Sequence, residues 1–468
     1  MGRPRFAAAL VAASLVAAAC DSGPSEDATP MRRPVSSPAG ADTTIIGLVG
    51  TMTGPDAWRG EDAFEGADLA VHELNRGDDR EREYELVTLD DEGDPERAVD
   101  LVTQLALSER TVGIVYAGPP EALPSAEPAL EEAGIPALLC YGDLYSARLL
   151  KPNLFQVSPP YLWQARRLAA YLYRDRRYTR VGLLVPRTLS GRTARRSFAA
   201  AARRFGRRPV VATYARGTAT LRHQLLSLAR RDVHAVVADG SPSQFATVQH
   251  ELRVMGATYR TTRIARRPSR RVWRPQLAGF ALAMSARTVP DLAVPGTVAT
   301  EDYARGAHYL PIPSFKAFRS AFEDWWGEAP LGWERRAYEA GRMIGWATAR
   351  AVARETSVTE ALATLQRRRF GGLDIVFGPD DHTSVHQPYV GLWVVPRPGA
   401  AVRERDALPE SLPWVPLARG FSIDGETTDV AARDWRYLFR SAPPRRAPAP
   451  KNRRWRFGVT TPRSDPVH

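Results

Sequence analysis

The segment DDHTSVH, residues 380–386, places His382 and His386 four apart beside Asp380 and Asp381. Metal sites and acid–base pairs are built from such residue types. This segment reads as a turn and the start of a strand, where residues four apart do not share a helical face, so solvated turn residues are expected instead of ligands. The chain carries no G-x-S-x-G elbow, no phosphate loop ending in GK(S/T), no G-x-G-x-x-G fingerprint and no Cys/His zinc spacing. An enzyme is therefore not expected, and neither a cofactor nor a metal is called for.

A second stretch offers binding chemistry. GTMTGPDAWRGEDAFEGADLAVHELN, residues 50–75, follows the apolar run Ile45-Ile46-Gly47-Leu48-Val49. Six small, hydroxyl-bearing or turn-forming residues between a buried strand and a helix leave backbone N–H groups and the hydroxyls of Thr51 and Thr53 at the strand's carboxyl edge, where α/β sheets bind ligands. Trp58 and Arg59 follow and can wall a pocket with an aromatic face and a cation. Gly66 permits close packing of the helix that carries them.

Positioning such a loop takes a regular scaffold, and the pattern from Thr43 onward supplies one. Apolar runs at 44–50, 84–90, 112–117 and 135–141, then at 180–186, 208–215 and 233–239, alternate with segments of helical period. Phe64, Ala67, Val71 and Leu74 share one helical face. Asp94-Pro95 supplies an N-cap and a first-turn proline to a helix that turns Ala98, Leu101, Val102 and Leu105 inward. Strands buried on both faces and joined through helices imply parallel sheets with right-handed crossovers. The alternation breaks near FQVSPP, residues 155–160, and restarts. The fold class is therefore α/β, with two doubly wound parallel-sheet lobes in succession. Helices are predicted at 314–327 and 334–354, and paired strands with a Gly-Pro-Asp-Asp turn within 368–395.

The remaining composition concerns the ends of the chain. Of 468 residues, 1–20 read as a lipoprotein signal: Arg3 and Arg5, a 14-residue apolar stretch, then Ala17-Ala18-Ala19 before Cys20. That stretch falls short of the roughly 20 residues that span a membrane. Cys20 is the expected lipidation site, holding the protein at the outer face of the cytoplasmic membrane. Residues 21–42 form a Pro/Ser/Ala tether. Cys140 is the only other cysteine, so no disulfide is expected and the fold must rest on its core. The net charge is +12, and all but Lys151, Lys316 and Lys451 of its 64 basic residues are arginine, a bias spread over solvated helix faces. The last 34 residues concentrate nine basic residues against Asp465 in a Pro/Arg-rich stretch. Residues 426–468 are expected to be a disordered tail able to meet anionic surfaces. No nucleic-acid partner is expected.

Taken together, IIGLVGTMTGPDAWRGEDAFEGADLAVHELN, LDDEGDPERAVDLVTQL (89–105), EEAGIPALL (131–139), LFQVSPP (154–160) and FGGLDIVFGPDDH (370–382) resemble the type I periplasmic binding proteins of branched-chain amino acid ABC transporters. The resemblance extends over about 43–396. It implies two lobes, 43–157 with 302–387 and 158–301 with 388–425, joined by a three-crossing hinge and closing on a small ligand. Its implied partners are that ligand and a membrane permease, and the protein is expected to be a monomer. Family members that bind amino acids hold the carboxylate with a Ser after the third strand and a Thr after the fourth. Here Pro120 or Glu121 and Gly142 or Asp143 fall at those places, next to Tyr141 and Tyr145. In the second lobe, Ser190 and the loop Asp239-Gly240-Ser241 fall at family ligand positions, and the acid expected near Phe280 is missing. Like charge at Glu121 or Asp143 argues against a plain amino acid and for a neutral or cationic compound. An alternative is a sensory or structural envelope lipoprotein that retains the binding fold without transport.

Overall fold

The computed structural model describes residues 43–395 and the strand Val415–Pro416, apart from 55, 77–81, 144–150, 159, 216, 257–272, 281–293, 295, 303–312, 331–333, 373–374, 379–380 and 384–389. Cys20, Tyr145, His386 and the basic tail thus lie outside the described residues.

The first lobe is built from β1 (Thr43–Gly50), α1 (Trp58–Arg76), β2 (Glu83–Asp90), α2 (Pro95–Ala106), β3 (Thr111–Ala117), α3 (Leu123–Ala133), β4 (Ala137–Leu139) and β5 (Leu154–Gln156). Its five strands are all parallel, in the order β2-β1-β3-β4-β5. The second lobe continues with α4 (Tyr161–Ala169), which runs on into one π-helical turn (Ala170–Asp175). It then forms β6 (Val181–Pro186), α5 (Leu189–Arg203), β7 (Val210–Tyr214), α6 (Arg222–Arg230), β8 (Ala235–Ala238), α7 (Pro242–Val254), β9 (Gln276–Gly279) and β10 (Val298–Asp302). After α8 (Pro313–Trp326), α9 (Glu334–Arg354) and α10 (Val358–Ala363) come β11 (Val390–Val394) and β12 (Val415–Pro416). The second sheet runs β12-β11-β10-β9-β8-β6-β7, parallel except for the antiparallel pairs that add β11 and β12.

Both sheets carry helices on both faces, which explains why the strands read as unbroken apolar runs. In the first, Ile46, Leu48 and Val115 pack with α1 and α9, while Val49, Ile114 and Tyr116 pack with α2 and α3. In the second, Leu183 and Val237 face α4 and α5, and Leu184 and Val236 face α6 and α7. Since β10 and β11 belong to the second sheet and α9 lies between them on the first lobe, the chain passes between lobes three times.

Gly66 shows why α1 needs its glycine. A Cβ there would stand 1.9 Å from the carbonyl oxygen of Glu334, so the α1–α9 contact closes only over a hydrogen atom.

One expectation is corrected. His382 is not solvated: it is 5% exposed, stacks on Phe155 at 4.1 Å between centroids with planes 8° apart, and places Nδ1 3.1 Å from the Leu154 carbonyl. Its own carbonyl accepts from the Gln156 N–H at 2.9 Å, and Gln156 bridges to Thr383. The segment therefore joins the edge of the first sheet beside the hinge, a long-range pairing that local turn chemistry does not reveal. Gly378 and Asp381 form an isolated antiparallel bridge, and the two residues between them lie outside the described residues.

Candidate functional site

Strand order reverses between β1 and β3 in the first sheet and between β6 and β8 in the second. Ligand crevices form outside the carboxyl ends of strands at such points. The loops after β1, β2, β3 and β4 in one lobe, and after β6 and β8 in the other, supply the site.

In the first lobe, the loop after β1 is fastened to the end of β2. Thr51 is buried, and its Oγ1 donates to Asp91 Oδ1 at 2.7 Å, while the Met52 N–H donates to Asp90 Oδ1 at 2.8 Å. The hydroxyl of Thr51 thus shapes the loop. Thr53 stands exposed at the loop tip. Asp91 Oδ1 also accepts from the Gly93 N–H at 2.8 Å, while its Oδ2 has no hydrogen-bond partner. Burial pushes the Asp91 carboxyl above its usual range, against the opposing pull of these hydrogen bonds and of Arg59. Gly118 lets the β3 loop lie over this carboxylate: a Cβ there would come within 2.0 Å of Asp91 Oδ2.

Trp58 is buried and meets Tyr141 edge-on at 5.7 Å, and the Arg59 guanidinium lies 5.6 Å from the Trp58 ring centroid. Tyr141 is wholly buried, so these two aromatics form the floor of the first jaw as part of its core. Pro120 is buried and approaches Gly142, whose φ of 100° suits a residue without a Cβ. Glu121 is half-buried on the same loop, and its charge acts on Tyr116.

Asp143 is buried and accepts from the Tyr161 N–H at 2.5 Å, so its carboxylate meets the first turn of α4. A first-lobe anion thereby caps a second-lobe helix across the hinge. Ser158 braces the same crossing through a 2.6 Å bond from Oγ to the Gly142 carbonyl.

In the second lobe the centre is Asp239, 5% exposed at the end of β8. Its Oδ1 accepts from the Tyr161 hydroxyl at 2.9 Å and its carbonyl from the Tyr214 hydroxyl at 2.6 Å, while Oδ2 has no partner. Burial pushes this carboxyl up to about 6, against the lowering effects of Tyr161, the Gly240 N–H and Arg59. Phe280 is buried and lies edge-on to Tyr161 at 5.0 Å. Ser241 caps α7 in a reciprocal box with Gln244 and hydrogen-bonds Ser243 Oγ at 2.7 Å. Ser190 is half-buried in the first turn of α5, whose cap is Thr188.

Arg59 thus acts on Asp239, beside which Phe280 meets Tyr161, while Glu121 acts on Tyr116 in the first lobe, and Thr51, Asp143 and Ser241 make hydrogen bonds that shape loops and helix ends. Three contributors escaped the sequence reading: Asp91, Tyr161 and Tyr214. Asp91 had a signal, since it follows directly on the β2 run. The two tyrosines are brought to Asp239 from 78 and 25 residues away, and no local pattern marks them.

A cavity of about 920 Å³ lies elsewhere, beside the hinge between α4, α5 and residues 376–383, with Trp163, Arg196, Ala199 and Arg203 among its lining. Its arginines are exposed and it shares only Asp143 with the site above. Among the described residues, no group of three or more His, Cys, Asp or Glu is placed to hold a metal ion, and no helix is long and apolar enough to cross a membrane.

Two α/β lobes joined by three crossings, with buried carboxyls at strand ends in each, are the architecture of a ligand-binding protein. The chain belongs to the periplasmic binding protein family, whose profile matches residues 43–396. That family works outside the cytoplasm. The fold is similar to a type 1 periplasmic binding protein from Bordetella pertussis: TM-score 0.66, 21% identity, 77% of this chain and 99% of that one. It is also similar to a leucine-binding protein from Thermotoga maritima, with TM-score 0.64, 17% identity, and 75% and 95% of the two chains covered. A branched-chain amino acid transporter substrate-binding protein from Streptococcus pneumoniae, in complex with isoleucine, gives TM-score 0.62, 18% identity, and 75% and 96% coverage. No curated protein matches the chain.

Proposed function

We propose that this protein is a lipoprotein, anchored through Cys20, that captures a small polar ligand between its lobes and delivers it to the permease of an ABC importer. The observation that carries this reading is the buried Asp239 carboxyl at a second-lobe strand end, within electrostatic reach of Arg59 on the first lobe. Arg59 has no ion pair among the described residues, yet its charge acts on Asp239 across the cleft. A ligand entering there meets polar groups from both lobes, so its binding favours the closed arrangement over the open one. The closed surface, formed by both lobes together, is what a permease would read.

Position by position, the first jaw departs from amino-acid binders. Pro120 has no hydroxyl and no N–H to give a carboxylate, and Glu121 adds like charge. The ligand is therefore a neutral or cationic polar compound and not leucine or valine. Native mass spectrometry of gently purified protein tests the capture reading. A discrete added mass that disappears on denaturation is expected, and a bare protein that also fails to bind any solute in a broad thermal-shift screen would overturn it.

A further inference from the structure

Charged groups of both lobes act on the tyrosines at the strand ends. Those acting on Tyr116 of the first lobe are Asp91 and Glu121 against Arg59, and those acting on Tyr161 of the second are Asp239 and Asp143 against the same Arg59. Arg59 is thus the guanidinium common to both sets, and it acts directly on Asp91 and Asp239. Asp143 is engaged at the hinge with the Tyr161 N–H, and Asp91 Oδ1 with Thr51 and Gly93. Asp91 Oδ2 faces the backbone at Gly118, which lies over it.

Asp239 differs. Its side chain is nine-tenths buried or more, one oxygen is held by Tyr161, and the other accepts no hydrogen bond of normal geometry, although the Gly240 N–H also acts on the carboxyl. Buried carboxylate oxygens are almost always hydrogen-bonded, so an orphan in a ligand-binding crevice marks a place where the donor comes from outside. Nothing structural requires the acid: α7 is capped by Ser241, and the Tyr214 hydroxyl is satisfied by the Asp239 carbonyl.

We propose that the cleft selects an organic cation without a carboxylate, a primary amine or guanidinium compound, and that Asp239 Oδ2 accepts a hydrogen bond from its charged nitrogen. The inference rests on the capture reading above. An ammonium or guanidinium group supplies the missing donor, and a charge-assisted bond of this kind is about twice as strong as a neutral one. A ligand carboxylate placed at Asp239 would set like charge against a buried acid at low dielectric. The aromatic surface for its carbon chain is at hand in Tyr161 and Phe280, which meet edge-on beside the acid.

The charged and titratable groups around Asp239 are Tyr161 from α4, Tyr214 from β7 and Arg59 from α1, with Asp143 reaching it through Tyr161. Both tyrosines are held neutral far above physiological pH, so Asp239 is the group that titrates. Its carboxyl lies at about 6, so cation binding is full above that pH and weakens about tenfold per unit below it.

Isothermal titration of the full folded protein with putrescine, ethanolamine and agmatine, with the uncharged N,N′-diacetylputrescine and N-acetylethanolamine, and with leucine tests this. At least one amine is expected to bind at least 100-fold more tightly than its acetylated counterpart at pH 7.5. Leucine should not bind, Asp239→Asn should lose the binding, and Asp239→Glu should restore part of it. Binding of leucine or an acetylated compound as tightly as the amine, retention of amine binding by Asp239→Asn, or no binding by any of the amines would overturn the proposal. Native mass spectrometry separates the two readings: a neutral or anionic ligand found bound sinks the cation inference and leaves capture standing.

Discussion

Asp239→Asn should make the empty protein more stable at neutral pH, and the gain should depend on pH in a defined way. The carboxyl stands near 6 in the folded protein against an ordinary 3.8, a rise of about two units. At 1.36 kcal/mol per unit, keeping it ionised in the fold costs about 3 kcal/mol above pH 6. A carboxyl raised by folding binds more protons folded than unfolded between 3.8 and 6. Stability therefore falls as pH rises through that window, and the cost is absent well below it. Asparagine removes the charge and can still accept from the Tyr161 hydroxyl, but its amide takes over the orphan position at a cost of about 1 kcal/mol. The expected net gain is about 2 kcal/mol at pH 7.5. At pH 4.5 the charge contribution shrinks to about 1 kcal/mol and the gain vanishes. Urea denaturation of wild type and variant at the two pH values, followed by tryptophan fluorescence, measures both. A variant less stable at pH 7.5, or a gain equal at both pH values, would refute the reasoning, because either result would mean the carboxylate is satisfied within the fold. A group that weakens the empty protein and strengthens the liganded one is the usual signature of a binding residue.

Three further outcomes follow from the same geometry. Tyr161→Phe removes a hydrogen bond that lowers the Asp239 carboxyl, so the titration midpoint of Asp239, read by carboxyl-carbon NMR, should move above 6; a midpoint that stays or drops contradicts the pairing. Gly66→Ala drives a Cβ into the Glu334 carbonyl, so α1 and α9 must separate, and a loss of about 1–3 kcal/mol in denaturant stability is expected. An unchanged midpoint would mean that contact is looser than 1.9 Å implies. Cys140 is completely buried and its thiol is pushed up to about 12, so a maleimide should label it only as fast as the protein unfolds; rapid native labelling would show that β4 opens locally.

Much of this architecture was determined by the order of residues alone. The runs at 44–50, 84–90 and 112–117 match β1, β2 and β3 within a residue; β1 and β3, buried on both faces, leave a hydrophobic signature that needs no partner to be read, while β2 is a half-buried edge strand. Two lobes followed from the interruption at FQVSPP, and the position of Gly66 followed from helix packing. The candidate binding residues of the loop after β1 were legible as types: a hydroxyl, an aromatic and a cation at a strand's carboxyl edge. Their roles were decided only in three dimensions. Thr51 turned inward because Asp91, 40 residues away, offers a buried acceptor. Asp143 was spent on the α4 N-terminus, and His382 was drawn from a turn into the Phe155 stack by pairing with the edge of the first sheet. Asp239 became the centre of the site because Tyr161, Tyr214 and Arg59 reach it from three other elements. Sequence patterns report which surfaces are buried, since burial follows the local period of the chain. A buried charge takes its meaning from its neighbours, and those are set by folding.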